Sequence, residues 1–318
     1  MTPIVSVIMP AFNAQDYIKE AIESILSQTF TNFEFIIIDD CSNDKTSQII
    51  KSFHDSRIIY LKNPSQLGLA KSLNKGLHLA KGIYIARMDA DDISDSKRFE
   101  LQVKKMEEDK QLALLGTWFK MIDHSGKTIT ICQTPTDYKQ IVTSLKTSNQ
   151  FAHGSVMIRK KCLKKVGFYQ TNLLAEDYEL WLRISKAYKV ANLPKTLYSW
   201  RLIPSLEFVQ KQYKRKLDVR RSFLKQQSSD KKAEIKRLDD KIKAKITRQD
   251  FTKELNILLF DLLVYSSYKH ALDLGFKGIK KSKANTKTFF LTFLAAILVV
   301  TPRFITKSLL KIKRQLVF

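Results

Sequence analysis

Cysteine is scarce in this chain of 318 residues, and Cys41, Cys132 and Cys162 are the three it has. An odd number with no Cys-x-x-Cys spacing argues against a disulfide framework or a structural zinc site, and fits a reducing compartment. Internal repeats at solenoid periods are absent. His54, His78, His124 and His270 show no ligand spacing. No basic leader or small-residue cleavage site precedes Ile4-Val5-Ser6-Val7-Ile8-Met9, which is therefore expected as a core strand and not as a secretory signal. Acidic residues are outnumbered, 31 Asp+Glu against 55 Lys+Arg, for a formal net charge of +24.

That excess is unevenly placed. Glu207 to Phe318 holds 27 Lys+Arg against 10 Asp+Glu. Two regions are therefore expected, 1–205 and 206–318, the second basic, helical and seeking an anionic partner. Within it Phe289 to Thr301 is an apolar or weakly polar run of 13 residues. A bilayer span needs roughly 20. Lys280, Lys281, Lys283 and Lys287 precede the run, and Arg303, Lys307, Lys311, Lys313 and Arg314 follow it. Cations on both flanks suit a helix lying in an anionic interface, with a core helix or a tilted span as alternatives. The expected membrane-interacting segment is 288–302, and the expected location is cytoplasmic, peripherally attached to the inner face of the cell membrane. A nucleic-acid-binding module is the competing reading of the tail. Lysine and arginine alone supply only sequence-independent phosphate attraction, and no zinc finger, RNP-like aromatic motif or helix-turn-helix pattern accompanies them.

With 44% hydrophobic residues the chain can bury a core. Its first half alternates strand and helix patterns. Val5 to Met9, Phe33 to Ile38, Ile58 to Leu61, Tyr84 to Met88 and Leu112 to Gly116 read as strands. Asn13 is expected to cap a first helix carrying Ile18, Ile22, Ile25 and Leu26 on one face. Thr46 to Phe53, Ala70 to Ala80 and Lys97 to Glu108 are expected as further helices. This alternation predicts an α/β fold, an open sheet flanked by helices. Later, Phe119 to Ile122 and Thr128 to Cys132 flank His124-Ser125-Gly126-Lys127 as a hairpin. Phe151 to Ile158 reads as a strand, and Ala175-Glu176-Asp177 opens a helix.

Ligands of such sheets bind beyond the carboxyl ends of the strands. Three of those ends are polar: Pro10 to Asn13, Asp39 to Asp44 and Asp89 to Asp92. In Ala86-Arg87-Met88-Asp89-Ala90-Asp91-Asp92, three carboxylates in four positions repel one another unless a cation is near. Hard Mg²⁺ or Mn²⁺ takes oxygen ligands and shares them with substrate phosphates, so this spacing suits a clamp on a diphosphate. A solvated acidic turn capping the next helix is the plainer alternative. A metal-dependent nucleotidyltransferase would want a Gly/Arg/Lys-rich triphosphate loop, which Ala11 to Asp16 does not offer.

In their order along residues 4–201, these segments resemble the family 2 glycosyltransferases, inverting enzymes with the GT-A (Rossmann-like) fold, an open mixed sheet between helices. Val5 to Asn13 is similar to that family's opening strand and nucleotide loop, and Phe35 to Asp44 to its second strand and base-binding loop. Leu67-Gly68-Leu69-Ala70 with Asn74 and Gly76, Arg87 to Ser94, and Glu176-Asp177-Tyr178-Glu179-Leu180-Trp181 resemble further segments. The resemblance implies a hexose or N-acetylhexosamine moved from a UDP-sugar to a glycan or lipid-linked acceptor in bacterial surface polysaccharide synthesis. It implies Mn²⁺ or Mg²⁺ on Asp91, with Asp89 shared between the metal and the ribose or donor sugar, and Asp92 supporting the loop. Pro10, Ala11, Asn13 and Asp40 would line the nucleotide, Asp40 accepting from the base imide; capping of the next helix is the alternative for Asp39 and Asp40. Asp177 would be the general base, with Glu176 its rival. His153, Glu176 and Trp181 would meet the acceptor, Trp181 by stacking on a sugar or else by packing in the core. Two departures stand out. Ile203 occupies the position where many relatives carry a His, so a third protein metal ligand is in doubt, and Ser96-Lys97-Arg98 lacks the Pro that commonly precedes the Arg.

Overall fold

The computed structural model describes residues 2–202 apart from Thr147 and Leu174. The basic region 206–318, including the expected membrane-interacting segment 288–302, lies outside the described residues, as does Ile203.

Two apolar runs build the centre. β1 (Val5–Ala11) and β2 (Phe33–Asp39) are buried at every position, as parallel strands covered on both faces must be. α1 (Ile18–Leu26) lays Ile18, Ile22 and Ile25 against them. α2 (Thr46–Lys51) leads into β3 (Ile58–Lys62), and α3 (Leu69–Leu79) into β4 (Tyr84–Arg87). β1 pairs with β2 on one side and with β4 on the other, and β3 lies outside β2, all in parallel. The chain thus moves outward through β2 and β3 and then crosses back to the far side of β1. That reversal makes the boundary between β1 and β4 the topological switch point of the sheet.

The rest of the sheet is mixed. A two-residue β5 (Ile93–Ser94) and α4 (Arg98–Glu108) precede β6 (Leu112–Ile122), and β7 (Thr128–Cys132) returns along it as a hairpin. After α5 (Tyr138–Ser144) and a 3₁₀ turn (His153–Ser155) come β8 (Met157–Arg159), α6 (Lys160–Val166), α7 (Glu176–Ala187) and β9 (Lys189–Arg201). Among the described residues the nine strands run in the order β3-β2-β1-β4-β8-β6-β9-β5, with β7 beside β6.

Three sequence expectations change. Leu112 to Gly116 and Phe119 to Ile122 belong to one strand, whose register against β9 shifts at Thr117–Trp118 and Trp118–Phe119; the shift breaks the alternation that separated them. Phe151 to Ile158 is a strand only from Met157, because His153–Ser155 forms a 3₁₀ turn between the buried Phe151 and Val156. Asn13 caps no helix. It holds a left-handed φ of 48°, and α1 starts only at Ile18, with Tyr17 before it.

α3 approaches β1 and β2 through Gly76, where a Cβ would lie 2.6 Å from Ile8 Cγ2 and 3.0 Å from Ile38 Cδ1. Gly76→Leu is therefore expected to destabilise the fold by about 1–3 kcal/mol through overpacking, read as a lower denaturant midpoint with an unchanged slope.

Candidate active site

The crevice begins where β1 and β4 part. Their pairing ends at Ile8 and Arg87, after which Met88 donates its N–H to Ile8 O at 3.1 Å. Pro10 lies two residues beyond Ile8 and so turns the same edge toward β4, where the strand has already left. A residue without an N–H loses nothing there. Pro10 and Ala11 thus form the open lip of the switch point.

Two loops wall this lip. The Asn13 N–H donates to Ser42 Oγ at 3.0 Å, and Asn13 Oδ1 accepts from the Asn43 N–H at 3.0 Å. Ala14 and Gln15 donate to Thr46 Oγ1 (2.8 Å) and Asp44 Oδ2 (3.1 Å). The reason for the left-handed Asn13 is this lacing, a conformation asparagine tolerates better than most residues. Asp39 is fully enclosed and accepts from the Ser42 N–H, Ser47 and Tyr60.

Asp40 is 4% exposed and reaches back into the protein. Its Oδ1 accepts from Asn63 Nδ2 (2.7 Å), the Leu67 N–H (2.9 Å) and Ser72 Oγ (3.0 Å), and its Oδ2 from the Gly68 N–H (2.8 Å). Burial opposes the charge, but these four donors outweigh it and hold the carboxyl below the usual carboxylate range. Asp40 carries three of these donors on Oδ1 and one on Oδ2, so Oδ2 is the oxygen with room for a further donor such as a base imide. Asp40 stands beside Ala11, whose carbonyl accepts its N–H at 2.7 Å, and it fixes the segment 63–68 as the far wall.

Across the lip lies the acidic turn after β4, whose three carboxylates have different surroundings. Asp89 is partly exposed and ion-paired with the buried Arg87. Asp92 is enclosed, accepting from Tyr198 Oη at 2.6 Å and from the Arg201 N–H at 2.7 Å. Its carboxyl is pushed well above the ordinary range by burial and then by Asp89 and Asp91. Asp91 has no ion-pair partner among the described residues, although Arg201 Nε holds its backbone carbonyl at 2.8 Å. Burial, then the charge of Asp89, raises its carboxyl to about 6. Among the described residues no cluster of three potential ligands forms a ready-made metal site. The donor set fits a different kind of site, because Mg²⁺ and Mn²⁺ are held by one or two carboxylates and complete their shell with phosphates and water. Asp91 is the oxygen donor of the turn without an ion pair, Arg87 and Arg201 only partly offsetting burial and Asp89, and Asp89 is its neighbour.

Tyr198 links this turn to the other half of the site. Its hydroxyl also takes the Asp89 N–H at 3.3 Å, and a Cβ on Gly154 would fall 1.7 Å from it, so only glycine fits there. Arg98 Nη1 donates to Gly154 O at 2.6 Å and Nη2 to Arg87 O at 3.2 Å, fastening the 3₁₀ turn to the end of β4. Burial lowers the Arg98 guanidinium to about 10.

From that turn His153 projects toward α7. Its Nε2 shares a 3.0 Å hydrogen bond with Tyr169 Oη, and its Nδ1 lies 3.8 Å from Glu176 Oε1. Asp177 is 1% exposed and accepts from Asn149 Nδ2 at 3.0 Å. Tyr169 sits between the two acidic groups. Burial raises its hydroxyl pKa, and Arg87, Asp177, Glu176 and Asp89 all act on it electrostatically. Its backbone is held from both sides by Asn74, which accepts from the Tyr169 N–H (3.0 Å) and donates to its carbonyl (2.8 Å).

Trp181 does not present a stacking face. It is completely enclosed, edge-on to Phe151 at 6.1 Å, His153 at 5.9 Å and Tyr169 at 6.5 Å, so of the two readings core packing is the one observed. The structure therefore brings Pro10, Ala11, Asn13, Asp40, Asp89 and Asp91 together along the lip, and His153, Glu176 and Asp177 behind Tyr169. Sequence reading missed Arg87, Asn149, Tyr169, Tyr198 and Arg201. The only signal for them was their place next to the motifs.

An acidic turn at the switch point of an open mixed sheet, backed by a second acidic pair on a later helix, is the layout of a nucleotide-sugar-dependent transferase with the GT-A fold. Comparison with known proteins agrees. The family description "Glycosyl transferase family 2" matches residues 6–167, and the chain belongs to that family. An uncharacterised glycosyltransferase of Methanocaldococcus jannaschii is 38% identical over 207 residues, covering 63% of this chain and 71% of the relative. The Escherichia coli protein named UDP-Glc:alpha-D-GlcNAc-diphosphoundecaprenol beta-1,3-glucosyltransferase WfaP is 36% identical over 190 residues, 59% of this chain and 73% of its own. Among solved structures, Staphylococcus aureus TarS 1–349 in complex with UDP-GlcNAc superposes with a TM-score of 0.55 at 17% identity, covering 94% of this chain and 81% of TarS. The mannosyltransferase PcManGT of Pyrobaculum calidifontis, with GDP-Man and Mn²⁺, gives 0.55 at 15% identity over 94% and 87%. The two structural likenesses bear on the fold alone.

Tyr198→Phe removes the donor from Asp92 and leaves its buried oxygen with one partner fewer. The expected loss is about 1–3 kcal/mol of stability, measured by denaturant titration at neutral pH.

Proposed function

We propose that the protein is an inverting glycosyltransferase that moves a hexose or N-acetylhexosamine from a UDP-sugar to a glycan or lipid-linked acceptor in bacterial surface polysaccharide synthesis. The observation that carries this reading is the Asp91 carboxylate at the switch point, raised to about 6 by burial and Asp89 despite Arg87 and Arg201, beside a lip lined by Pro10, Ala11 and Asn13. The likeness to WfaP, named as a UDP-Glc-dependent glucosyltransferase acting on a diphosphoundecaprenol-linked sugar, supports both the donor and the acceptor class.

In this reading the nucleotide lies along Pro10, Ala11 and Asn13, with Asp40 fixing the opposite wall. The diphosphate is directed to Asp91 and Asp89, which would hold Mn²⁺ or Mg²⁺. When bound, the metal supplies positive charge against the departing diphosphate. Arg87 keeps Asp89 in place, and Tyr198 and Arg201 keep Asp92 as the strut beneath the turn. Asp177 takes the proton of the acceptor hydroxyl as its oxygen attacks the anomeric carbon. The new C–O bond forms on one face while the bond to the diphosphate breaks on the other, which inverts the centre. Asp177 lies in the first turn of α7. Glu176 and His153 form the adjoining acceptor wall. Glu176 and Asp177 are both buried, which limits the water that could compete for the donor.

Attachment to the inner face of the membrane is proposed for the basic region, through 288–302. No helix among the described residues is long and apolar enough to cross a membrane.

Two outcomes check the proposal. Asp177→Asn is expected to lower kcat by about 10²–10⁴-fold with UDP-sugar affinity retained; near-wild-type turnover would remove Asp177 from the mechanism. Deletion from Lys287 onward is expected to move the protein from the membrane pellet to the supernatant, and unchanged sedimentation would refute the anchoring role.

A further inference from the structure

Asn149 sits in the segment between α5 and the 3₁₀ turn, and its two hydrogen bonds define which way its amide points. Oδ1 accepts from the Phe151 N–H at 3.1 Å, and Nδ2 donates to Asp177 Oδ2 at 3.0 Å. A flipped amide would set an N–H against an N–H on one side and an oxygen against a carboxylate on the other, so the orientation is fixed by chemistry. The segment touches α7 a second time through the Phe151 ring, edge-on to Trp181 at 6.1 Å. Asp177 and Trp181 are four residues apart and share one face of that helix. Asn192 Nδ2 on β9 completes the anchoring by donating to Gln150 O at 3.1 Å.

We infer that Asn149 is a positioning residue for the general base: it presents one fixed N–H to Asp177 and holds that carboxylate in its working rotamer. The inference rests on the reading of Asp177 as the base. A neutral donor suits this task, since it orients the carboxylate without a full positive charge that would stabilise the ionised form and weaken it as a base.

The test is steady-state kinetics of UDP release with acceptor on the full chain, for Asn149→Asp, Asn149→Ala and Asn149→Gln, with Asp177→Asn in parallel. Asn149→Asp retains the acceptor for the Phe151 N–H but turns an oxygen toward Asp177. Its kcat is expected to fall about 10–100-fold while donor KM stays within about twofold. Asn149→Ala is expected to fall less, and Asn149→Gln, which keeps a donor, to recover part of that loss. If Asn149→Asp turns over within about twofold of wild type while Asp177→Asn is inactive, the positioning role is wrong and the base assignment stands. If Asp177→Asn is itself active, both fall. Should Asn149→Asp not fold, equal kcat for Asn149→Ala and Asn149→Gln overturns the inference and a higher value for Asn149→Gln supports it.

Discussion

Three carboxylates crowded into four residues at the end of a buried strand are the constraint around which this structure is arranged. Like charges this close, partly withdrawn from water, repel strongly, and the protein answers at each position differently. Asp89 is met by Arg87, and Asp92 by the Tyr198 hydroxyl and the Arg201 N–H. Asp91 is left with the weakest compensation, and burial together with Asp89 raises its carboxyl to about 6. A site balanced in this way favours one additional positive charge, brought by a cation that also has phosphate oxygens to hold.

Much of the surrounding architecture follows from supporting that turn. Arg201, on the last strand, holds the Asp91 carbonyl, Asp92 through its N–H, and the Asp123 and His124 carbonyls of the β6–β7 hairpin, while pairing with Glu20 on α1. Tyr198 passes the constraint on to Gly154, and Gly154 sets where His153 meets α7. On the proposed nucleotide side, the loops after β1 and β2 are stitched by Asn13, Ala14 and Gln15, and Asp40 closes the segment 63–68. Asn74 then ties α3 to the backbone of Tyr169, between the acidic turn and the α7 carboxylates. The proposed donor and acceptor sides are thus joined by short, directional bonds.

The strand ends were legible in the sequence because buried parallel strands are written as short apolar runs stopped by polar residues. Val5 to Met9, Phe33 to Ile38 and Tyr84 to Met88 declare themselves in that way and are found within or across β1, β2 and β4, and the acidic turn declares itself by its charge. Positions decided by long-range contact were not legible. Asn13 resembles a helix cap locally, yet its partners are 29 and 30 residues away. Phe151 and Val156 are buried on either side of the His153–Ser155 turn, and burial alone does not separate a strand from a 3₁₀ turn. Arg87, Tyr198 and Arg201 serve the site by compensating charge, which has no sequence spacing of its own. Trp181 read equally well as a sugar platform or as core, and only its neighbours decide.

The central claim concerns charge at one position, and calorimetry of UDP binding addresses it directly. Titrating UDP into the wild-type protein and into Asp91→Asn, each with Mn²⁺ and with chelator, separates metal-dependent from metal-independent affinity. The account predicts clear tightening by Mn²⁺ in the wild type and its loss in Asp91→Asn, with the folded state retained. Equal UDP affinity with metal and with chelator in the wild-type protein would contradict it.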